Sequence, residues 1–336
     1  MRPIILVDAN NLCFRSGFAY TGLSHDGLPT GMLYGTLKAV AMLKQQVSPN
    51  LVFCWDGIPG SPKVKNWRDA IVHGYKANRH HDEDLYRLLL AQMRTVWTAL
   101  YLLGYSNVAV PGLEADDIIG IITAISGNQF LIYSSDKDFY QLLEGTRVQV
   151  LQPSKTHSGF QYVTQLKVEK ELGIPINRYA EYLGLGGDSA DDIKPAPGMG
   201  PKTALKIIQD GIDLPRTFAE QSKAFRSKWT KLQSCWERVL QCYCAAKLPR
   251  EKTDLRIRAH IDGWPFFHTD QRPLKKSEEE FTRLCANHGL VSIIAKRHEL
   301  FAVNQPNKQE SEPCHKERNI PQSAPPMRRR RSLLTI

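Results

Sequence analysis

Nowhere in its 336 residues does this chain stay apolar for long. That excludes a membrane-spanning helix, which needs about 20 such residues. The opening MRPIILVD has four consecutive apolar residues before an acid, too few for the core of a secretory signal. Cysteine is sparse. There are seven, an odd number, and neither Cys235 nor the Cys242-Tyr-Cys244 pair has histidines or a second pair at zinc spacing. A disulfide framework and a zinc module are thereby excluded, and the thiols read as reduced in a cytoplasmic protein. No internal repeat is visible.

Acid is in the minority: 34 Asp and Glu stand against 44 Lys and Arg, for a net charge of +10. A basic balance favours a polyanionic partner. Residues 304–336 hold seven basic residues and three Glu, hence +4, which leaves +6 for residues 1–303. Both parts are basic. The minority acids, however, are not scattered.

The β-rich runs PIILVD (3–8), LVFCWD (51–56), YSNVAV (105–110) and QFLIYSS (129–135) alternate with helical periodicities over 30–46, 82–103 and 114–126. Such alternation predicts an α/β fold with a mostly parallel central sheet flanked by helices. From about 164 the pattern is helical, over 164–172, 175–184, 201–210, 222–247 and a carboxyl portion to about 302. The expected organisation is a core over 1–163 with a basic segment at about 60–84, a helical region over 164–303, and a disordered basic tail over 304–336.

Three of the strand-like runs end in acid or run straight into it: Asp8, Asp56, and Asp136 with Asp138. Glu114, Asp116 and Asp117 fill the first turn of the 114–126 helix, and Asp188 and Asp191 precede a glycine turn. Each acid alone is equally well a helix cap or a dipole complement. Caps do not need to converge, whereas a parallel sheet brings strand ends to one edge, where ligands bind. Nine carboxylates without a metal would repel one another and protonate. Oxygen-only ligation predicts hard cations, two Mg²⁺ or Mn²⁺, and a two-metal site suits phosphodiester chemistry.

The segments VDANN (7–11), FCWDG (53–57), WRDAIVHGYKANR (67–79), PGLEADDIIG (111–120), SSDKDFYQLL (134–143) and GDSADDIKPAPGMGPKTA (187–204) resemble, in order and spacing, the bacterial and phage 5′ nucleases or flap endonucleases. These include the 5′-nuclease domain of bacterial DNA polymerase I, and the present chain looks like a stand-alone version. The resemblance implies a PIN-like core and a helix-hairpin-helix at about 185–210. It places one ion at Asp8, Asp56, Glu114 and Asp116, and a second nearer Asp138, Asp188 and Asp191. Asp136 and Asp117 are either shared between the ions or set just behind them. The pattern departs at Ala190-Asp-Asp-Ile-Lys-Pro195, where relatives commonly read Ser-Asp-Asn-Ile-Pro-Gly.

The same resemblance turns the basic segment into an arch. Lys76 would neutralise the scissile phosphate, Arg79 would clamp it, Tyr75 would stack a base, and Arg68 would meet DNA. His73, His80 and His81 read as surface residues. Gly198, Gly200, Lys202 and Thr203 would grip duplex backbone, with K⁺ in the turn. The implied partner is DNA with a 5′ flap, a nick or a 5′ single-strand end, or an RNA/DNA hybrid, bound by a monomer. The open alternatives are an RNase H-type exonuclease that removes RNA primers and a catalytically idle branched-DNA binder.

Overall fold

The computed structural model describes residues 2–62, 64–72, 75–76, 83–154, 159–188, 193–195, 198–214, 236–248 and 276–302. Strands β1 (Ile4–Asp8), β4 (Leu51–Trp55), β5 (Ser106–Ala109), β6 (Phe130–Tyr133), β7 (Val148–Pro153) and β8 (Phe160–Val163) form one sheet, while β2 (Ser24–His25) and β3 (Leu28–Pro29) pair as a separate short hairpin. The order in the large sheet is β5-β4-β1-β6-β7-β8. Every pairing is parallel except β7 with β8.

Successive side chains of a strand point to opposite faces, and here both faces are covered. Ile5, Val7, Phe53, Trp55, Leu131 and Tyr133 pack into one core, whereas Leu6, Val52, Cys54, Phe130 and Ile132 pack into the other. That is why these strands read as unbroken apolar runs. The first core is closed by α1 (Ala9–Ala19), α2 (Gly31–Gln46) and α3 (Glu83–Leu102), and the second by α4 (Ala115–Ile125), the 3₁₀ turn Asp138–Leu142, α5 (Gln165–Leu172) and α6 (Tyr179–Gly186).

A third cluster joins α6 to α7 (Pro201–Gln209) and α8 (Trp236–Ala246) through Ala180, Leu185, Ala204, Ile207, Val239 and Tyr243. Gly184 permits it, because a Cβ there would lie 2.7 Å from the Tyr243 Cα. The last described helices, α9 (Glu278–Asn287) and α10 (Val291–Ala295), return to the first face, where Phe281, Cys285, Leu290 and Leu300 are buried. Residues 1–303 accordingly form one compact unit, distinct from 304–336. The expected boundary at 163/164 does not divide two bodies, since α5 and α6 and the 276–302 segment each complete a face of the sheet. The tail lies outside the described residues. Among the described residues no helix is long and apolar enough to cross a membrane.

Candidate active site

The sheet order reverses at β1: the chain builds outward to β4 and β5, then returns to β6 on the other side of β1. Such a switch point opens a crevice at the strands' carboxyl ends. Asp8 closes β1, Asp56 follows β4, and Asp136 follows β6.

Asp8 is also the N-cap of α1. Its Oδ1 accepts from the Asn11 N–H at 3.0 Å and its Oδ2 from the Ser134 hydroxyl at 2.9 Å. Burial, then the charge of Asp56, and further the charge of Asp136, push its carboxyl up to about 7 against the hydrogen bonds that favour the anion. Asp56 and Asp136 are exposed at the crevice. The Asp56 N–H donates to Asn10 Oδ1 at 3.1 Å, and Asp56 Oδ1 accepts from the Ala115 N–H at 2.8 Å, which ties the end of β4 to the start of α4. Asp136 is held by its own N–H on Ser134 Oγ (3.1 Å) and accepts from the Asp138 N–H at 2.9 Å. Asn10, Asn11 and Ser134 thus orient the acids. They lie inside the motifs read from the sequence but carry no charge to mark them.

In the first turn of α4, Glu114 and Asp117 form a reciprocal capping box. Onto this turn folds the basic segment, through Arg68, Tyr75 and Lys76. Arg68 is 2% exposed. Its Nη1 donates to Glu114 Oε2 and Asp117 Oδ2, its Nη2 to Asp116 Oδ2 and Asp117 Oδ1, each at 3.0 Å, and its Nε to the Ala245 carbonyl at 2.9 Å. Tyr75 donates its hydroxyl to Glu114 Oε2 at 2.8 Å, and Lys76 Nζ lies 2.7 Å from Glu114 Oε1. Burial works to raise Glu114, but Lys76 and Arg68 outweigh it and hold the carboxyl below the ordinary range. For Asp116, burial and the neighbouring Asp117 and Glu114 prevail over Arg68, and its carboxyl is pushed up.

Three expectations change. Arg68 does not face DNA, because all its N–H groups are engaged inside the protein. Asp117 does not present an open oxygen to an ion: it is 0% exposed, its Oδ2 accepts from Trp67 Nε1, the Glu114 N–H and Arg68 Nη1, and its Oδ1 accepts from Arg68 Nη2. Tyr75 is not placed to stack a base, since its ring is buried with Val72, Ile193, Cys242 and Ala245. Among the described residues no three of these side chains close into a metal site. At Glu114 the Lys76 ammonium stands on Oε1, while Arg68 reaches the other oxygen, Oε2. The donor set nevertheless fits hard cations, being all carboxylate, with like charges crowding the buried Asp8.

Asp188 exchanges both backbone hydrogen bonds with Ile193, each 2.8 Å. Asp191 and Arg79, like His73, His80 and His81, lie outside the described residues. Gly198 has φ +78° and Gly200 is the N-cap of α7, with Pro201 in its first turn. A Cβ on either glycine would meet nothing within 4 Å. Lys202 is exposed and Thr203 half-buried beside them.

A family model described as 5′-3′ exonuclease, N-terminal resolvase-like domain, matches residues 3–173. The chain belongs to this family. It is 32% identical over 220 residues to DNA polymerase I of Deinococcus radiodurans, covering 64% of this chain but only 21% of that protein. It is 31% identical over 222 residues to the 5′-3′ exonuclease of Streptomyces coelicolor, covering 62% of this chain and 72% of that one. The fold is that of bacteriophage T5 5′-exonuclease with zinc bound (TM-score 0.60, 17% identity, 77% of this chain and 94% of the other). A T5 flap endonuclease with DNA and metal ions (0.58, 18%, 85% and 100%) and a eukaryotic junction-resolving enzyme with potassium (0.54, 13%, 89% and 70%) share it. The parallel sheet flanked by helices expected of the family is therefore present.

Proposed function

We propose that this chain is a divalent-metal-dependent 5′ nuclease that hydrolyses DNA phosphodiesters near junctions of single strand and duplex. The observation that carries the reading is the meeting of Asp8, Asp56 and Asp136 from separate strand ends at the switch point, in a member of the 5′-3′ exonuclease family.

Asp8, Asp56, Glu114 and Asp116 would hold one ion and Asp138, Asp188 and Asp191 a second, with Asp136 between them. Ions held there, Mg²⁺ or Mn²⁺, would supply the charge that activates water and stabilises a leaving oxygen. The chain's own part is positional. Asn11 and Ser134 fix the Asp8 carboxylate, and Ala115 fixes Asp56. Lys76 exchanges Glu114 for the scissile phosphate, which Arg79 clamps, so that negative charge growing on the phosphate meets a preorganised cation. The glycine turn at 198–200 and the amino terminus of α7, with Lys202 and Thr203, would grip duplex backbone, and K⁺ would sit in that turn. We place the protein in the cytoplasm as a monomer, acting on 5′ flaps, nicks or 5′ single-strand ends.

End-labelled flap, nicked and RNA-primed duplexes incubated with Mg²⁺, with EDTA as control, test this directly. Short 5′ products from flap or nicked DNA, abolished by EDTA, are the expected result. Cleavage confined to RNA would make the protein a primer-removing exonuclease, and binding without any product would make it an idle branched-DNA binder.

A further inference from the structure

Arg68 has five N–H groups, and the structure gives each an acceptor inside the protein: one on Ala245, one on Glu114, one on Asp116 and two on Asp117. None is left for a phosphate. Its guanidinium also lies over the Trp67 ring, 4.6 Å from the centroid, and Trp67 in turn donates to Asp117. We propose that Arg68 is a positioning residue, a rigid fork that sets the carboxylates of Glu114 and Asp116 in the orientation a divalent cation requires. This rests on the metal-dependent reading above.

The three acids of the turn are not equivalent. Asp117 is fully enclosed, while the side chains of Glu114 and Asp116 keep 15% and 19% exposure. Arg68 therefore pairs with Asp117 as a buried, bidentate and electrically neutral unit. Each end of that unit then reaches one oxygen of a more open carboxylate, Oε2 of Glu114 and Oδ2 of Asp116. A carboxylate at a helix start turns about two side-chain bonds in aspartate and three in glutamate. One hydrogen bond from a planar donor that is itself locked removes that freedom.

The lock has a distant anchor. Ala245 belongs to α8, and the next carbonyl, Ala246, accepts from Gln141 at 2.9 Å, whose Oε1 accepts from the Leu248 N–H at 2.6 Å. Gln141 lies in the 3₁₀ turn that begins at Asp138. The same helix end thus fixes Arg68 on one side and the turn carrying Asp138 on the other. Lysine cannot reproduce this, because a single ammonium has three donors and no plane.

The test uses the full chain without DNA. Mn²⁺ is titrated by calorimetry into the wild type, Arg68→Lys and Arg68→Gln, with melting curves in EDTA to confirm folding at the working temperature. Duplex affinity is measured in EDTA alongside. Loss of a group that orients a metal ligand commonly costs about 10- to 100-fold in metal affinity. We expect Arg68→Lys to weaken Mn²⁺ binding by about tenfold or more and to leave duplex affinity within about twofold. Should Arg68→Gln fail to fold, Arg68→Lys carries the test alone. Wild-type affinity for Mn²⁺ in folded Arg68→Lys overturns the positioning role, as does tighter binding, which would make Arg68 a competitor of the ion. Weaker duplex binding with unchanged Mn²⁺ binding overturns it in favour of a DNA contact. A wild type that binds no Mn²⁺ overturns the metal-dependent reading itself, a distinct outcome.

Discussion

Lys76 and Glu114 are joined at 2.7 Å, and Lys76 holds that contact from a left-handed backbone, φ +56°. A non-glycine residue in this region costs about 1 kcal/mol or more. The contact places the cation proposed for the phosphate on an oxygen proposed for the metal. Both cannot hold Glu114 Oε1 fully at once.

Lys76→Met should therefore do two opposite things. Without DNA, Mn²⁺ should bind several-fold more tightly, because a competing cation is gone. With substrate and saturating Mg²⁺, the single-turnover rate should fall by about 10²-fold, the scale for losing one preorganised charge stabiliser. Unchanged Mn²⁺ affinity with a normal rate would show that Lys76 is a surface lysine that happens to touch Glu114.

Asp8 allows a test in pH. Its carboxyl is raised from 3.8 to about 7 by burial first, then by Asp56 and Asp136. An acid raised on folding keeps its proton in the native state, so ionising it costs stability. The cost is absent below the unfolded value, grows from about pH 4 to pH 7, and is complete above. In EDTA at pH 8, Asp8→Asn should melt several degrees higher than the wild type, with a gain of up to about 4 kcal/mol. At pH 4 the gain should vanish. An equal effect at both values would show that Asp8 is an ordinary cap.

How much of this was legible in the chain follows from where each group is buried. Strands covered on both faces leave continuous apolar runs ending in acid, so β1, β4 and β6 and their carboxylates were readable. Helix α1 was not, since ANNLCFRSGFA mixes polar and apolar residues and buries only a few, Leu12 and Cys13 among them. Strand β8 was hidden because its middle residues, Gln161 and Tyr162, face solvent. The role of Arg68 was hidden for another reason. In sequence it is one of several basic residues in a charged segment, and nothing local says that a carbonyl at Ala245 and three acids at 114–117 will enclose it. Asp117 misled in the same way: its type and position suit a ligand, and only its enclosure shows otherwise.

The glycine turn separates structure from contact. Gly198 needs its φ of +78°, so Gly198→Ala should lose about 1 kcal/mol of stability and with it some duplex binding. Gly200 has φ −82° and an open Cβ position, so Gly200→Ala should fold normally. If duplex phosphate approaches that position, Gly200→Ala should still weaken duplex affinity several-fold in a filter-binding titration and blunt any preference for K⁺ over Na⁺. Affinity equal to wild type would leave the turn a simple connection between helices.

The last prediction concerns where the folded unit ends. Residues 276–302 are largely helical, yet they complete the α/β core: Lys44 Nζ donates to the carbonyls of Glu299 and Phe301 at 2.7 and 2.5 Å, and the buried Tyr105 hydroxyl to that of Leu300 at 2.5 Å. Phe281 and Cys285 are fully buried against the same face. Burying one large apolar side chain is worth about 1.5–3 kcal/mol, so removing residues 276–336 strips more from the core than a domain stable by about 5–15 kcal/mol can lose without melting. That truncation should be unfolded or aggregated by circular dichroism. Removing only 304–336 should leave the melting temperature unchanged, because the hydrogen bonds just named end at Phe301. If the seven basic residues of that segment meet phosphates, the second truncation should also shallow the slope of log affinity against log salt, by about 0.9 for each phosphate no longer neutralised. A folded protein after the first truncation would show that 276–302 is an appendage to the core.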